Sequence, residues 1–388
     1  MVLRERRAYR QEILERYWKA EREEKGRILD EFCAVCRYNR KYAVRLLSRK
    51  QKQRRSRVGR KPQYGAPEFA GALEGLWMAT DQLCSKRLKQ AIPEWLPFWE
   101  QGYGSVAPAT RKQLLKVSPA TIDRLLKAKR RRLQKGLGGT TPGRLLKNQI
   151  PIKVSHWDVS KPGYVEADTV AHCGNSLEGN FAWSLVFTDI QSGWCECRSV
   201  WNKTGIGVRE QIRDIESRLP FPLQGFHSDN GNEFLNHELW RYFSKRKQPV
   251  QFTRGRPYRK NDNPHVEQKN WTQARQLFGY DRIDNPHLVL PMNDLYANEW
   301  SLLQNHFMPS TKLIKKTRLN SKYKKRYDTP KTPYQRLLES PHVSAASKKR
   351  LRALHHTLNP LVLKHQIQQK LKAIFVQIPV TTNVRQRL

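Results

Sequence analysis

The spacing of apolar residues near the start of the chain is that of short helices. Ile28, Phe32 and Val35 recur at intervals of three and four residues, and the pattern breaks near Asn39. A second short helix, predicted over Lys41–Ser48, follows the break at once. Two short helices around a tight turn are typical of a helix-turn-helix, whose second helix can lie in a DNA major groove.

A similar helical pair is predicted within residues 111–147. Ser118 can cap a helix in which Pro119 occupies the first position. This helix runs into a basic string from Lys127 to Lys135, and a linker rich in Gly, Thr and Pro follows it. Residues 62–110, between the two pairs, predict a helical connector with several large aromatic side chains. The pattern therefore indicates a second DNA-binding helix-turn-helix.

Residues 161–280 have a different pattern, because short apolar runs typical of strands alternate with helical spacing. The predicted strands are Tyr164–Val170, Phe181–Thr188, Trp194–Val200, Leu223–Ser228 and Pro249–Thr253. A helix from Val208 to Leu219 separates the third and fourth strands, Asn236 can cap the next helix, and Asn263 can cap the last one. The order βββαβαβα predicts an α/β domain over residues 150–285, with a five-stranded mixed sheet that begins as an antiparallel meander.

The last part of the chain is basic and mainly helical in its pattern. Leucines at helical spacing extend from Thr332 to Phe375, and the stretch from Lys312 to Arg326 holds eight Lys or Arg and no acid. We expect an accessory region that contacts DNA or multimerises. The predicted domain limits are 1–61, 62–110, 111–147, 150–285 and 286–388.

The net charge narrows the class of partner. The 388 residues include 73 Lys and Arg against 34 Asp and Glu, a formal charge of +39. Such a chain repels itself unless a polyanion neutralises it, which makes nucleic acid the expected partner. A basic membrane-surface protein would need an amphipathic anchor helix or a lipidation signal, and neither is evident. Charge alone does not exclude a generic basic protein that has no enzymatic activity.

Apolar runs and cysteines indicate the compartment. No run is long enough for a membrane span, and the first residues, MVLRERRAYR, contain no apolar signal region. We therefore expect a cytoplasmic protein with no membrane partner, whose six cysteines are free thiols. Cys33 and Cys36 form a lone CxxC with no second Cys or His pair nearby, so a zinc site is not expected.

Three acidic residues stand where a sheet can bring them together. Asp168 lies in the middle of the first predicted strand, on the same face as Glu166. Asp229 ends the fourth strand, and the Asn-Gly pair after it allows a sharp turn. Glu267 lies in the first turns of the last predicted helix. If the first and fourth strands are neighbours, the three carboxylates converge.

Converging carboxylates suit phosphodiester chemistry. They can hold two Mg²⁺ ions about 4 Å apart, which neutralise charge on the attacking and leaving oxygens. Taken singly, each residue also has an ordinary explanation, since an Asp before Asn-Gly is often a turn residue and a Glu near a helix start often interacts only with the helix dipole. Asp262 is the rival of Glu267. Among the other acids nearby, we expect Asp189 to close a turn and Glu233 to cap or support the fold.

Over residues 161–280 the sequence resembles the integrase-type catalytic core of DDE transposases and retroviral integrases, which has an RNase H-like fold. The resemblance rests on three segments, VEADT (165–169), HSDNGNEF (227–234) and FTRGRPYRKNDNPHVEQKN (252–270). With the helix-turn-helix pairs upstream, the whole chain resembles a bacterial insertion-sequence transposase.

The resemblance implies that Asp168, Asp229 and Glu267 are the catalytic residues and hold two Mg²⁺ or Mn²⁺ ions. It further implies a hydrolytic cut at a transposon end, followed by attack of the freed 3′-hydroxyl on target DNA. The implied partners are double-stranded DNA, as transposon ends and target, and further copies of the chain in a homo-oligomer on paired ends. The protein would act at the nucleoid, without a small-molecule cofactor.

The sequence departs from the family pattern in two ways. Many such transposases carry a Lys or Arg seven residues after the Glu, whereas this chain has Ala274 there and Arg275 beside it. The amino-terminal His/Cys zinc module of retroviral integrases is absent from the sequence. The role of the basic residue is therefore left open, and a structural zinc is not expected.

Basic residues around the helix-turn-helix pairs and the last core helix are candidates for phosphate contacts. They are Arg45, Arg49, Lys50, Arg54, Arg55, Arg124, Lys127, Arg130, Arg131, Arg254, Arg256, Arg259, Lys260, Lys269 and Arg275. Two other functions stay open on sequence. One is a catalytically silent repressor or architectural protein, and the other is a site-specific nuclease that cuts without joining.

Overall fold

The computed structural model describes residues 3–48, 63–133, 160–228, 231, 233–254, 266, 269–319 and 322–378. The chain falls into two compact units, Met1–Gln63 and Tyr64–Leu388. Each unit has a hydrophobic core of its own. The finer division of the second unit into a connector, a second helix-turn-helix, a core domain and a C-terminal region stays a prediction.

Three helices build the first unit, α1 (Leu3–Lys19), α2 (Arg22–Cys36) and α3 (Arg40–Leu47). The helices predicted on either side of Asn39 are confirmed as α2 and α3. Asn39 caps α3 by accepting a hydrogen bond from the backbone N–H of Lys41 at 3.0 Å. The indole N–H of Trp18 donates to the carbonyl of Leu47 at 2.8 Å. The end of α3 is thereby fastened to α1 around the buried ring of Phe32.

A five-stranded mixed sheet forms the centre of the second unit. Its strands are β1 (Tyr164–Ala171), β2 (Ala182–Asp189), β3 (Cys195–Trp201), β4 (Gly225–Ser228) and β5 (Gln251–Arg254). The order is β3-β2-β1-β4-β5. Strand β2 pairs antiparallel with both β1 and β3, and β4 pairs parallel with both β1 and β5. The five predicted strands, the meander and the α/β class with its mixed sheet are confirmed.

Helices α8 (Gly205–Arg218) and α9 (His237–Ser244) cover one face of the sheet. Ile212 of α8 and Phe243 of α9 are fully buried with Phe226 of β4 in one apolar cluster. The predicted cap of α9 is present, because the side chain of Asn236 accepts a hydrogen bond from the backbone N–H of Leu239 at 2.9 Å. Helix α8 spans the predicted periodicity from Val208, and it ends before the proline-rich turn that leads to β4.

Two helices after the sheet cover its other face, α10 (269–278) and α11 (286–307). Each contains a π-helical turn, Trp271–Arg275 in α10 and Tyr296–Trp300 in α11. The hydroxyl of Tyr296 makes a 2.7 Å hydrogen bond with Ser184 of β2, whose hydroxyl also contacts His172 at 2.7 Å. Burial lowers the pKa of His172 to about 3, so its imidazole is neutral between the sheet and the helices.

The C-terminal part contains a two-stranded antiparallel hairpin, β6 (Leu313–Leu319) and β7 (Lys322–Tyr327), which we name the basic ribbon. The sequence pattern did not predict it. The helical stretch predicted after it is confirmed as α12 (Pro333–Glu339), α13 (Ala345–Thr357) and α14 (Pro360–Val376). Thr332 and Gln335 form a reciprocal capping box at the start of α12, with hydrogen bonds of 3.1 and 2.9 Å.

Helices that precede the sheet share a core with α11 and α14. They are α4 (Pro67–Ala79), α5 (Ser85–Tyr103), α6 (Pro108–Lys116) and α7 (Pro119–Leu133). Ser118 caps α7 as predicted, by accepting a hydrogen bond from the N–H of Thr121 at 3.2 Å. The indole of Trp95 donates to the carbonyl of Phe307 at 3.1 Å and so joins α5 to the end of α11. Within the described ranges, none of the helices is both long and apolar enough to cross a bilayer.

A buried arginine in β3 links the sheet to α8. Arg198 is 1% exposed, and its guanidinium donates to the carboxylate of Asp214 at 2.6 Å and to the carbonyl of Cys197 at 2.7 Å. Its other acidic neighbour, Glu196 at 3.4 Å, is also buried. Burial raises the pKa of Glu196, while the charge of Arg198 lowers it. The guanidinium is therefore the counter-charge that allows a carboxylate inside the fold.

Removal of Arg198 is expected to destabilise the protein far more than removal of its exposed partner. In Arg198→Met, Glu196 loses its counter-charge while it stays buried, which costs about 3–5 kcal/mol. In Asp214→Asn the lost carboxylate is 43% exposed, and the expected cost is about 0–1 kcal/mol. Thermal unfolding measured by circular dichroism tests this difference. Equal shifts of the melting temperature for the two variants would contradict it.

Candidate active site

Strand β1 directs two carboxylates toward the helices that cover the second face of the sheet. Glu166 and Asp168 alternate with Ala167, and on their face Val170 belongs to the same apolar cluster as Val266. Glu166 is fully buried, whereas Asp168 is half-buried. The predicted common face of these two acids is thus the face against which α10 packs.

Two hydrogen bonds fasten the region around the start of α10 to β1. The backbone N–H of Val266 donates to the Glu166 carboxylate at 3.0 Å, and the side-chain amide of Asn270 donates to Asp168 Oδ2 at 2.6 Å. The other oxygen of Asp168 accepts a hydrogen bond from the N–H of Thr169 at 2.8 Å. Glu267 lies between Val266 and Asn270 in the sequence and is outside the described residues. Val266 and Asn270, which lie before and after Glu267 in the sequence, therefore contact the two acids of β1.

Strand β4 lies directly beside β1, as the sequence argument required. The two strands are parallel, and Ser228 at the end of β4 pairs with Ala167, the residue before Asp168. Asp229 follows Ser228 in the chain and lies outside the described residues, as does the rival acid Asp262. The adjacency of the first and fourth strands is confirmed, and the convergence of the three carboxylates stays a prediction.

Glu233, in the segment after β4, supports the opposite side of β1. It is 5% exposed, and its carboxylate accepts hydrogen bonds from the hydroxyl of Thr169 and the ammonium of Lys203, both at 3.0 Å. The same ammonium lies 4.2 Å from the ring centre of Trp183. A Cβ at Gly231 would come within 2.5 Å of the Glu233 carboxylate, which explains a glycine at this position. The supporting role expected for Glu233 agrees with these contacts.

Asp189, the acid at the end of β2, closes a turn as expected. Its carboxylate accepts hydrogen bonds from the N–H groups of Ser192 at 2.6 Å and Gly163 at 2.8 Å. Burial raises the pKa of Asp189, and these hydrogen bonds oppose that effect. The side chain is fully engaged in holding the β2–β3 turn against the residues before β1.

The π-helical turn of α10 includes Arg275, the basic residue whose role the sequence left open. Because its hydrogen bonds close over five residues instead of four, such a turn holds about one residue more than an α-helical turn. Arg275, at the end of this turn, is thereby rotated back by about 100° toward the direction that Ala274 would have in an uninterrupted α-helix. Its guanidinium donates to the carbonyl of Gly279 at 3.4 Å and lies 4.7 Å from the ring centre of Tyr280.

Lys269, a predicted phosphate contact, lies near the Cys195 thiol and two arginines. Burial lowers the pKa of its ammonium, the nearby Cys195 thiol opposes this effect, and the charges of Arg87 and Arg336 lower the pKa further. The residue is half-buried in the described fold. This position does not decide whether Lys269 contacts DNA, and the contact stays a prediction.

The other predicted DNA contacts differ in how far they are exposed. The exposed ones are Arg45, Arg124, Lys127, Arg131 and Arg254. Arg130 instead donates to the carboxylate of Asp123 at 2.5 Å and lies 5.7 Å from the ring centre of Trp77. Outside the described residues lie Arg49, Lys50, Arg54, Arg55, Arg256, Arg259 and Lys260.

Sequence reasoning missed two residues of this site, Asn270 and Glu166 in its anchoring role. Asn270 stands three positions after Glu267, a spacing that places both on one side of a helix. Glu166 stands two positions before Asp168 and so shares its strand face. Both signals were in the sequence, but neither identifies a hydrogen bond between segments about a hundred residues apart.

The anchor at Glu166 can be tested through the backbone amide of Val266. In Glu166→Ala that amide loses its acceptor, and we expect its hydrogen exchange to accelerate by at least tenfold, because about 1–3 kcal/mol of local stabilisation is lost. In Glu166→Gln an acceptor oxygen remains, and protection should be largely retained. Hydrogen–deuterium exchange with mass spectrometry of peptides spanning 266–278 measures both. Unchanged protection in Glu166→Ala would contradict the anchor.

Comparison with known proteins gives two similarities. No family model matches the chain. Among solved structures, the catalytic core domain of BIV integrase is similar with a TM-score of 0.29 and 19% identity, over 46% of this chain and 96% of that one. A likeness of this size carries no information on activity.

A relative by sequence is the "Uncharacterized protein y4rM" of Sinorhizobium fredii (strain NBRC 101917 / NGR234). The two sequences are 40% identical over 329 residues, which is 84% of this chain and 92% of the relative. The match therefore extends well beyond the length of the central sheet and its helices. The chain belongs to the same protein family as y4rM.

Proposed function

We propose that this protein is a DNA transposase that cuts transposon ends and joins them to target DNA, with Asp168, Asp229 and Glu267 as its catalytic carboxylates. One observation carries the proposal. The segment that contains Glu267 is fastened to β1 on both sides, through the Val266–Glu166 and Asn270–Asp168 hydrogen bonds. The parallel pairing of β1 with β4 gives further support, because Asp229 is the next residue after the paired Ser228.

The donor chemistry fits a divalent cation. Asp168 offers a half-buried carboxylate, and carboxylate oxygens are the ligands that Mg²⁺ and Mn²⁺ prefer. No group of three or more His, Cys, Asp or Glu suited to a metal occurs among the described residues, which exclude Asp229 and Glu267. Together the three carboxylates would hold two ions, which supply charge neutralisation at the attacking and leaving oxygens of the phosphodiester.

The surrounding residues orient this carboxylate set. Asn270 holds one oxygen of Asp168, which limits rotation of the carboxylate about its side chain. Glu166 receives the N–H of Val266 and so fixes the start of the helix. On the opposite side of β1, Glu233 joins the segment after β4 to Thr169 and Lys203. Asn270 and Glu166 are therefore positioning residues in this proposal, because a displacement of about 1 Å can reduce a catalytic rate a hundredfold.

The substrate of the proposal is double-stranded DNA. A formal charge of +39 favours a polyanion, and exposed cations such as Arg45 on α3, Arg131 on α7 and Arg254 on β5 would contact phosphates. Cutting and joining two transposon ends together requires more than one copy of the chain, so a homo-oligomer on paired ends belongs to the proposal. The reaction would take place at the nucleoid in the cytoplasm.

Loss of one carboxylate should abolish chemistry and leave binding intact. With Mg²⁺ or Mn²⁺, a labelled transposon end and a plasmid, we expect Asp168→Asn to reduce cut and joined products about a thousandfold, equivalent to about 4 kcal/mol in the activation barrier. DNA affinity should stay within about twofold of wild type, a free-energy change of about 0.4 kcal/mol. Gel analysis of the products and a filter-binding titration measure the two quantities.

Asp281→Asn is the matched control, since Asp281 is an exposed acid of the same unit. It should retain both activities. Joined product at the wild-type level in Asp168→Asn would overturn the catalytic assignment. Cut product without joined product in the wild type would indicate a nuclease, and binding without either product would indicate a repressor or architectural protein.

A further inference from the structure

Like charges face one another across the basic ribbon. Lys316 pairs directly with Lys325, and Lys315 with Arg326. Like charges in directly opposed positions destabilise an antiparallel pair. The sequence between Lys312 and Arg326 contains no Asp or Glu that could offset them. A bound polyanion would attract the cations of both strands and so offset their mutual repulsion.

The cations occupy both faces of the ribbon. Lys316 and Lys325 share one face with Tyr323, whose ring centre lies 4.3 Å from the ammonium of Lys316. Lys315 and Arg326 lie on the other face, since successive side chains of a strand alternate. A flat anionic surface can contact only one face of such a ribbon at a time. A groove with phosphates on both walls can contact both.

The base of the ribbon is rigidly attached to the fold. The guanidinium of Arg336, 7% exposed, donates to the carboxylate of Asp328 and to the carbonyl of Ser310, both at 2.8 Å. The side chain of Lys312 donates to the carbonyl of Gln191, in the turn between β2 and β3. The direction of the ribbon is thus fixed with respect to the central sheet, while its side chains beyond the base are mostly exposed.

We propose that the basic ribbon enters the major groove of double-stranded DNA. The groove is about 12 Å wide and admits a two-stranded ribbon, whose strands are about 5 Å apart and whose seven-residue strand reaches about 20 Å. Net charge disfavours a second copy of the chain as the occupant, because each copy carries a formal charge of +39. The inference rests on the proposed function for the choice of DNA as the polyanion.

A salt titration tests the ribbon directly. The ribbon variant combines Lys315→Gln, Lys316→Gln, Lys324→Gln and Lys325→Gln in the full chain. In duplex binding, the slope of log affinity against log salt concentration should fall by about 0.9 for each phosphate that the variant no longer neutralises, hence by about 2–4 in all.

The control variant neutralises four exposed lysines elsewhere in the same unit, Lys86, Lys245, Lys349 and Lys372, with the same change in net charge. Its slope should change by less than about 1.

The groove is identified by chemical protection. Guanine N7 faces the major groove, so wild-type protein should protect from dimethyl sulfate a set of guanines in the bound duplex that stay reactive in the complex with the ribbon variant. Protection that is the same in both proteins, or an equal fall of slope in the control variant, would overturn the proposal. So would binding to phosphatidylserine vesicles that the four ribbon substitutions weaken as strongly as they weaken duplex binding.

The ribbon and the catalytic proposal fail in different ways. At protein concentrations that saturate the DNA, the ribbon variant should still give metal-dependent cut product, whereas Asp168→Asn should keep the wild-type salt slope and give none. If the ribbon variant cuts DNA as the wild type does and its salt slope is unchanged, the proposed role of the ribbon is refuted and the catalytic proposal is not. If the ribbon substitutions lower the salt slope but the wild type gives no cut or joined product, the proposed transposase activity is refuted and the role of the ribbon in DNA binding is not.

Discussion

A carboxylate buried inside a sheet must be hydrogen-bonded, and this requirement determines much of the second unit. Glu166 is fully buried in β1, where an unpaired charge would cost several kcal/mol. The N–H of Val266 donates a hydrogen bond to it, and the side-chain amide of Asn270 donates to Asp168, the next acid on that face of the strand. Movement of the start of α10 away from β1 would therefore break the Val266–Glu166 and Asn270–Asp168 hydrogen bonds. Strand and helix form one unit even though about a hundred residues separate them.

The elements of the core could be predicted from the sequence because their signals are local. Short apolar runs identified the strands, the spacing from Val208 identified α8, and Asn236 and Ser118 were recognised as caps. The neighbouring position of β1 and β4 was a condition of the site argument, and the sheet order satisfies it. These features depend on residues within one turn or one strand of each other, or on the few ways in which strands can be ordered.

Other features could not be predicted because they depend on contacts between distant segments. The Glu166–Val266 hydrogen bond is one, and the shared core of α5, α11 and α14 is another. The basic ribbon was missed for a different reason. Its cations lie on both faces, so the alternation of polar and apolar residues that normally indicates a strand is absent from Lys315 to Arg318. The sequence of that stretch indicated its positive charge but did not predict its β conformation.

The π-helical turn in α10 has an evolutionary consequence. An extra residue in a regular helix rotates everything beyond it by about 100° and would turn Leu277 and Phe278 out of the core. In this chain both are buried beyond the wider turn at Trp271–Arg275, and such a turn can hold one residue more than an α-helical turn without that rotation. Relatives should therefore tolerate the gain or loss of one residue inside this turn, but not on either side of it.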